Sequence, residues 1–236
     1  MSMSNKSIGA IIKKLNSKNF ENIFLQRLSE NVEYGIVWHK VRQYSPSKGK
    51  YYSEKRDRFY FFKDESDIYV GAVLIMDTLD DLHAFVKKEY RNQGHLLKAM
   101  TETILPHLFV EMKKGKQRIT IDREWLGDKK YEISRKSALK IGFQQFSESE
   151  FYISKKEISA KNIPNVKKYG MTKERMLQLR EKMLGLSIEL SKISDEFEIK
   201  LGSIPEIEKV KEEIKKYGET KLEDEYWKLK GNLNLI

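Results

Sequence analysis

Val86-Lys87-Lys88-Glu89-Tyr90-Arg91-Asn92-Gln93-Gly94-His95-Leu96 decides how this chain is read. The run leaves a short apolar stretch, Leu82 to Val86. It enters a segment whose apolar residues Leu97, Met100, Ile104, Leu108 and Met112 recur at helical spacing. It therefore joins a strand to a helix. Main-chain N–H groups at such a junction have no helical acceptor, and the helix dipole adds positive charge there. Together they suit a pyrophosphate. Gly94 lets the backbone come close to it, and Arg91 and Gln93 can add side-chain donors.

Working outward, Arg58 to Phe62, Ile68 to Met76 and Leu82 to Val86 read as a three-strand antiparallel meander. Its turns are Lys63 to Asp67 and Asp77 to Asp80. Downstream, the helix runs from about Gly94 to Met112, with Pro106 expected to kink or split it and Gly115 to end it. Arg118 to Asp122 is a further strand. Lys129 to Lys140 is a helix stopped by Gly142, and Phe143 to Phe146 with Phe151 to Ile153 form a hairpin. Upstream, Ser7 to Leu28 reads as one or two helices and Tyr34 to Val41 as a strand. Ser45 to Asp57 reads as a polar, basic loop.

Residues 1–160 are thus one domain, and residues 161–236 a helical extension entered through a linker at Asn162 to Gly170. Thr172 is a good N-cap. Met176, Leu179, Met183, Leu186, Leu190, Ile193 and Phe197 then keep a heptad seam, which Gly202 and Pro205 break. Ile207, Val210, Ile214 and Tyr217 repeat the pattern up to Gly218. The extension is expected to pack on itself, on the domain, or on another copy of the chain, giving a homodimer or a partner-protein complex.

The composition sets outer limits. The chain has 236 residues, 39% hydrophobic and 34% charged, which suits a folded core and excludes a disordered protein. It has no cysteine, so no disulfide, thiolate metal site or cysteine nucleophile. No run of about 18 apolar residues is present, and the start lacks a secretion signal, so a cytoplasmic protein is expected. The net charge of +10, most of it in the first 160 residues, favours phosphate-bearing ligands. His39 and His107 are too scattered for a metal site.

The Val86–Leu96 run resembles the pyrophosphate loop of the GNAT family, the Gcn5-related N-acetyltransferases. The family pattern is Arg/Gln-x-x-Gly-x-Gly/Ala after a strand ending in Val; Leu96 departs from its last position. The meander before the loop and the helix, strand, helix and hairpin after it also resemble that family. So does Ser137-Ala138-Leu139-Lys140-Ile141-Gly142-Phe143, with its Gly-Phe end. The resemblance covers about Arg58 to Lys156. It implies an α/β fold with a mixed, mostly antiparallel central sheet flanked by helices. The family's first strand precedes its helices, whereas here helices come before Tyr34 to Val41.

The resemblance also implies acetyl-coenzyme A as co-substrate and an amine-bearing small molecule or protein as acceptor. Phe85 and Val86 would pair with the pantetheine arm, and Arg91, Asn92, Gln93, Gly94, His95 and Leu96 would meet the phosphates. Ser134 could hydrogen-bond the coenzyme. Asp80, Asp81 and His83 stand where relatives often place the general base, with His83 and Asp81 alternating onto one face. Asp80 and Asp81 are equally well turn residues beside Asp77. Asp122 and Glu124 are secondary candidates. The tyrosine that protonates the leaving thiolate in relatives is Ala138 here, so a non-catalytic binding module is the alternative. A nucleic-acid partner, suggested by Tyr44, Tyr51 and Tyr52 among the bases of Ser45 to Arg58, ranks below both.

Overall fold

Strand β3 (Gly49–Lys63) shows how the sheet is built. Phe59, Tyr60, Phe61 and Phe62 are each at most 1% exposed. Alternation sends Tyr60 and Phe62 to one face of the sheet and Phe59 and Phe61 to the other. Both faces are therefore covered, and β3 is a central strand.

The computed structural model describes residues 3–45, 49–76, 81–157 and 170–232, with only the backbone for residues 40–45 and 49–54. The chain divides into two compact units, Met1–Lys167 and Lys168–Ile236. The first holds an eight-stranded sheet. Its other strands are β1 (Ile23–Arg27), β2 (Val32–Ser45), β4 (Tyr69–Met76), β5 (Asp81–Val86), β6 (Lys116–Thr120), β7 (Gln144–Gln145) and β8 (Glu150–Ser154). Their order is β1-β2-β3-β4-β5-β6-β8-β7, and every neighbouring pair is antiparallel except β5 and β6.

Helix α1 (Asn5–Asn16) covers one face. Ser4 caps it by accepting from the Ser7 N–H at 3.2 Å, and Ile8, Ile11, Ile12 and Leu15 pack against Phe59, Phe61 and Leu74. Its last residue clasps β4: Asn16 Nδ2 donates to the Tyr69 carbonyl at 2.9 Å, and the Tyr69 N–H donates to Asn16 Oδ1 at 2.8 Å. The helix stops there, so the helical expectation for Ser7 to Leu28 fails in its second half. Lys18 and Asn22 take left-handed conformations, and Ile23–Arg27 pairs with β2 instead. The apolar residues Ile23, Phe24 and Leu28 fit either period, and an open sheet edge decided between them.

The other face carries the helix that follows the Val86–Leu96 run, α2 (His95–Ala99). It continues through π-helical turns at Met100–Ile104 and His107–Glu111. Pro106 neither splits nor ends it. A proline removes one helical donor and crowds the carbonyl of the preceding turn, and wider turns on both sides absorb that misfit. Met112 N–H accordingly reaches back five residues to the His107 carbonyl, 3.0 Å. Beside it lies α4 (Asp128–Ile141), after the single turn α3 (Arg123–Leu126); Tyr131, Ala138 and Ile141 of α4 join the same core as Met100, Ile104 and Leu108.

One expectation about loops changes. Ser45 and Gly49 to Asp57, expected in a loop, are strand. Strands β2 and β3 pair continuously from Val32↔Phe62 to Ser45↔Gly49. The turn expected at Asp77 to Asp80 lies outside the described residues, as does most of the linker.

The second unit is a helical hairpin of α5 (Lys173–Lys200), α6 (Pro205–Lys216) and α7 (Leu222–Asn232). Thr172 caps α5, accepting from the Arg175 N–H at 3.2 Å. The expected seam is half right. Met176, Met183 and Leu190 turn inward, but Leu186 and Ile193 are 57% and 46% exposed. Ser187 and Ser194 are buried instead, at 6% and 3%. Gly218 does not stop the helix; it lies buried in a π-helical turn, Tyr217–Lys221, against Leu184. Small residues let the helices approach more closely than leucines would. Arg180 binds the turn: its Nε donates to the Gly218 carbonyl at 2.9 Å, and its Nη atoms reach the Glu219 carbonyl and the Glu223 carboxylate. No helix among the described residues is long and apolar enough to cross a membrane.

Candidate functional site

Strands β5 and β6 pair at a single register position, Asp81 against Arg118, and then part. Asp81 accounts for the parting. Its carboxylate is buried, and Oδ1 accepts from the Thr120 N–H at 2.9 Å and from the Leu82 N–H at 3.1 Å. The next bond of a parallel ladder would use that Thr120 donor. A side chain has taken it, and the ladder ends. Arg118 secures the fork from the other strand, with Nη1 donating to Glu150 Oε1 at 3.0 Å and Nη2 3.8 Å from Asp81 Oδ2.

Beyond the fork, no strand pairs with the β6-facing edge of β5 among the described residues. The Lys87 N–H donates to the Val70 carbonyl at 2.9 Å, which sets the antiparallel alternation with β4. The main-chain groups of Phe85 therefore face β4, and those of Ala84 and Val86 face the gap. Pairing a ligand with Phe85 backbone, as expected from sequence, does not fit; Ala84 takes that place. The Phe85 side chain packs beside α1.

The gap leads to the Val86–Leu96 run. A single tight turn, Lys88–Tyr90, lifts the chain off β5. Asn92 (φ 62°) and Gly94 (φ 83°) are left-handed, a conformation that recurs where main-chain N–H groups bind anions. The first helical bond is Lys98 N–H to the Gly94 carbonyl, 2.9 Å. The N–H groups from Asn92 through Leu97 have no acceptor among the described residues. Gly94 is needed for its conformation, and nothing lies within 4 Å of where a Cβ would sit.

The side chains here are folded back rather than extended. Arg91 Nε donates to the Val86 carbonyl at 3.1 Å, and Gln93 Nε2 donates to the Glu89 carbonyl at 2.9 Å. His95 is half-buried beside the Tyr90 ring, its Nε2 3.1 Å from Gln93 Oε1. Ser134 is half-buried on the α4 face that also carries Tyr131 and Ala138.

Of the expected bases, Asp80 lies outside the described residues. Asp81 and His83 share the face that α1 covers. His83 is half-buried, its Nε2 2.8 Å from Asn5 Oδ1. Burial lowers its pKa below the ordinary imidazole value, with the nearby Asp81 charge opposing. The ring is therefore neutral at neutral pH and able to accept a proton. Asp122 caps α3, accepting from the Glu124 and Trp125 N–H groups at 2.8 and 3.2 Å. Glu124 is solvated. Ala138 is buried in the core, and the nearest phenol on its helix, Tyr131, donates to the Glu148 carbonyl at 2.6 Å.

Sequence reasoning missed Arg118 and Glu150. Their signal was weak: charges alternating with Ile119, Ile121, Phe151 and Ile153, as on any half-solvated strand.

No family model matches the sequence, and no curated protein matches it. A solved structure described as an acetyltransferase (GNAT family) from Bacillus anthracis aligns at 18% identity and a TM-score of 0.33. The alignment covers 43% of this chain and 67% of that one. At that score the superposition decides nothing, and the site stands on its own geometry: a fork held open by Asp81, leading to a run of free N–H groups at the start of a helix.

Proposed function

We propose that the first unit binds acetyl-coenzyme A and transfers its acetyl group to a primary amine. The single observation behind this is the fork between β5 and β6, opening onto the free N–H groups of Asn92 to Leu97. Those groups, at the positive end of a helix, would hold the pyrophosphate. His95, Leu96 and Ser134 would border the coenzyme. The main-chain groups of Ala84 and Val86 would pair with its pantetheine amides. Arg91 must then release the Val86 carbonyl, which frees its guanidinium for a phosphate.

This path brings the thioester towards the fork, with His83 on the adjoining strand face. Coenzyme A supplies the activated carbonyl. The amine nitrogen bonds to the acetyl carbon, the C–S bond breaks, and the proton lost by nitrogen passes through neutral His83 to the departing sulfur. Asp81, with its lone pairs engaged by two N–H groups, holds the fork and is the weaker candidate for the base.

Calorimetry with coenzyme A tests the binding step. Gly94→Asp should weaken it at least tenfold, because a carboxylate would meet the phosphates on a backbone it strains. Unchanged affinity in the folded variant would sink the assignment. In a thiol-release assay over a panel of amines, His83→Gln should lower turnover by about 10²–10⁴-fold while coenzyme affinity holds.

A second reading rests on Ala138. With no phenol at that position and Tyr131 engaged elsewhere, the unit would bind the coenzyme without turnover. Tight coenzyme binding with no thiol release from any amine would select it.

For the second unit we propose self-association. Leu186, Ile193 and Phe197 leave a wet apolar row on α5, and burying each such side chain gains roughly 1.5–3 kcal/mol. A second copy of the helical hairpin can cover that row.

A further inference from the structure

Strands β2 and β3 continue well past their neighbours. β1 reaches only Val37 of β2, and β4 reaches only Arg58 of β3. Eight more cross-strand pairs follow, from Trp38↔Arg56 to Ser45↔Gly49. At about 3.3 Å per residue they extend roughly 25 Å. No third strand flanks them among the described residues. A two-stranded ribbon of this kind is marginal alone in water, so its chemistry should suit something that docks on it.

Alternation sorts that chemistry. One face receives the pairs Trp38↔Arg56, Arg42↔Tyr52 and Tyr44↔Lys50, an aromatic residue opposite a cation each time. Lys40↔Glu54 lies among them, and Arg58 extends the same face toward the sheet. The opposite face receives His39, Val41, Gln43, Tyr51, Ser53 and Lys55. There the charge is neutralised at the base, where His39 and Lys55 both approach the buried Asp57, at 3.3 and 3.1 Å. Where side chains are described, Trp38 and Arg56 are exposed.

We propose that the Trp38–Arg56 face of this ribbon binds single-stranded nucleic acid. Three properties select that partner. The face has a net positive charge, with Lys40, Arg42, Lys50 and Arg56 against Glu54 alone. Lys40 and Arg42 on β2, and Arg56 and Arg58 on β3, are pairs of cations two residues apart, about 6–7 Å along the strand, a spacing suited to an extended phosphate chain. It also carries three aromatic residues, Trp38, Tyr44 and Tyr52, a residue type that stacks on unpaired bases and finds none exposed in a duplex. The opposite face carries fewer of both kinds, with Lys55 and Tyr51. A loop has no faces, so the segregation existed only once Gly49 to Asp57 was paired with β2.

Fluorescence anisotropy of the full chain with a labelled oligothymidylate tests the proposal. Affinity should fall as salt rises, with a log–log slope near −0.7 per neutralised phosphate, so about −2 to −3 for this face. Lys40→Glu with Arg42→Glu should weaken binding at least tenfold. Tyr52→Ala should weaken it about five- to a hundredfold, while Gln43→Glu with Ser53→Glu on the opposite face should change it far less. Circular dichroism confirms that each variant is folded. Equal loss from both faces would overturn the proposal. So would equal affinity for duplex of the same length, or binding to anionic phosphatidylserine vesicles in place of the oligonucleotide. Unchanged binding in Lys40→Glu with Arg42→Glu would reduce the cation–aromatic pairs to braces within the ribbon. Coenzyme affinity should not move in any of these variants, which separates this surface from the β5–β6 fork.

Discussion

The two units of this chain bury different kinds of residue. The first seals large aromatics between two helical layers and a sheet, with Phe59, Tyr60, Phe61 and Phe62 all but inaccessible. The second buries Met176 but otherwise Ser187, Ser194 and Gly218 along its helix contacts, and leaves Leu186, Ile188 and Ile193 in water. The hydrophobic effect scales with apolar area removed from solvent, so the first unit realises most of its potential stabilisation alone. The second relies on close helix approach and on Arg180 binding the π-helical turn. Its hydrophobic potential is still outside, where a partner can use it. The difference separates a unit that buries its large apolar residues from one that leaves several of them exposed.

The largest effect should come from the first unit. Phe61→Ala removes a fully buried ring and should destabilise by about 3–5 kcal/mol, read from urea unfolding of the sheet signal. A loss under about 1 kcal/mol would mean that this core is looser than its burial indicates. Gly218→Val should have the next largest effect. A Cβ there would meet the Leu184 side chain at 2.8 Å, so overpacking should cost about 1–3 kcal/mol and lower the helical unfolding midpoint. Tolerance of valine would remove close approach as the basis of the hairpin.

Leu186→Glu with Ile193→Glu sharpens the contrast. Both residues are exposed, so the stability of the monomer should change by no more than about 0.5 kcal/mol for each. Light scattering should nevertheless show a wild-type dimer becoming a monomer. A wild-type monomer across micromolar concentrations would end the argument for an associating arm.

The smallest effect is a pH slope confined to the first unit. Burial lowers the pKa of His39 and of His83 below the ordinary 6.5, with Asp57 and Asp81 respectively opposing. The unfolded chain then binds these protons first. Stability is full above about pH 6.5 and declines as the pH falls from there through the lower folded-state values. His83→Gln should flatten part of that acid-side slope, and an unchanged slope would remove His83 from its origin.

Local signals were legible where one stretch of chain both carried and used them. The Val86–Leu96 run needed only a strand end, a glycine and a helix start, and its free N–H groups follow from that order. Asp81 was legible as a residue of interest but not in its task. Whether a carboxylate accepts a substrate proton or a neighbouring strand's N–H depends on Thr120, which is 39 residues away. Arg118 and Glu150 escaped notice because charges alternating with isoleucines look alike on a solvated strand and at a fork.

The sequence by itself determined the element types around the loop, the break between a sheet-forming region and a helical one, and the heptad period of α5. Tertiary structure decided the register. Met176, Met183 and Leu190 belong equally to a seam completed by Leu179, Leu186 and Ile193 or to one completed by Arg180, Ser187 and Ser194. Hydrophobicity favours the first choice, and only the facing helix, with Gly218 against Leu184, selects the second. The same holds for the ribbon. Its lysines, arginines and tyrosines were all visible between Lys40 and Arg58, but a period of two has two faces. Only pairing with β2 placed Lys40, Arg42, Lys50 and Arg56 with Tyr44 and Tyr52 on one of them, leaving Tyr51 and Lys55 on the other.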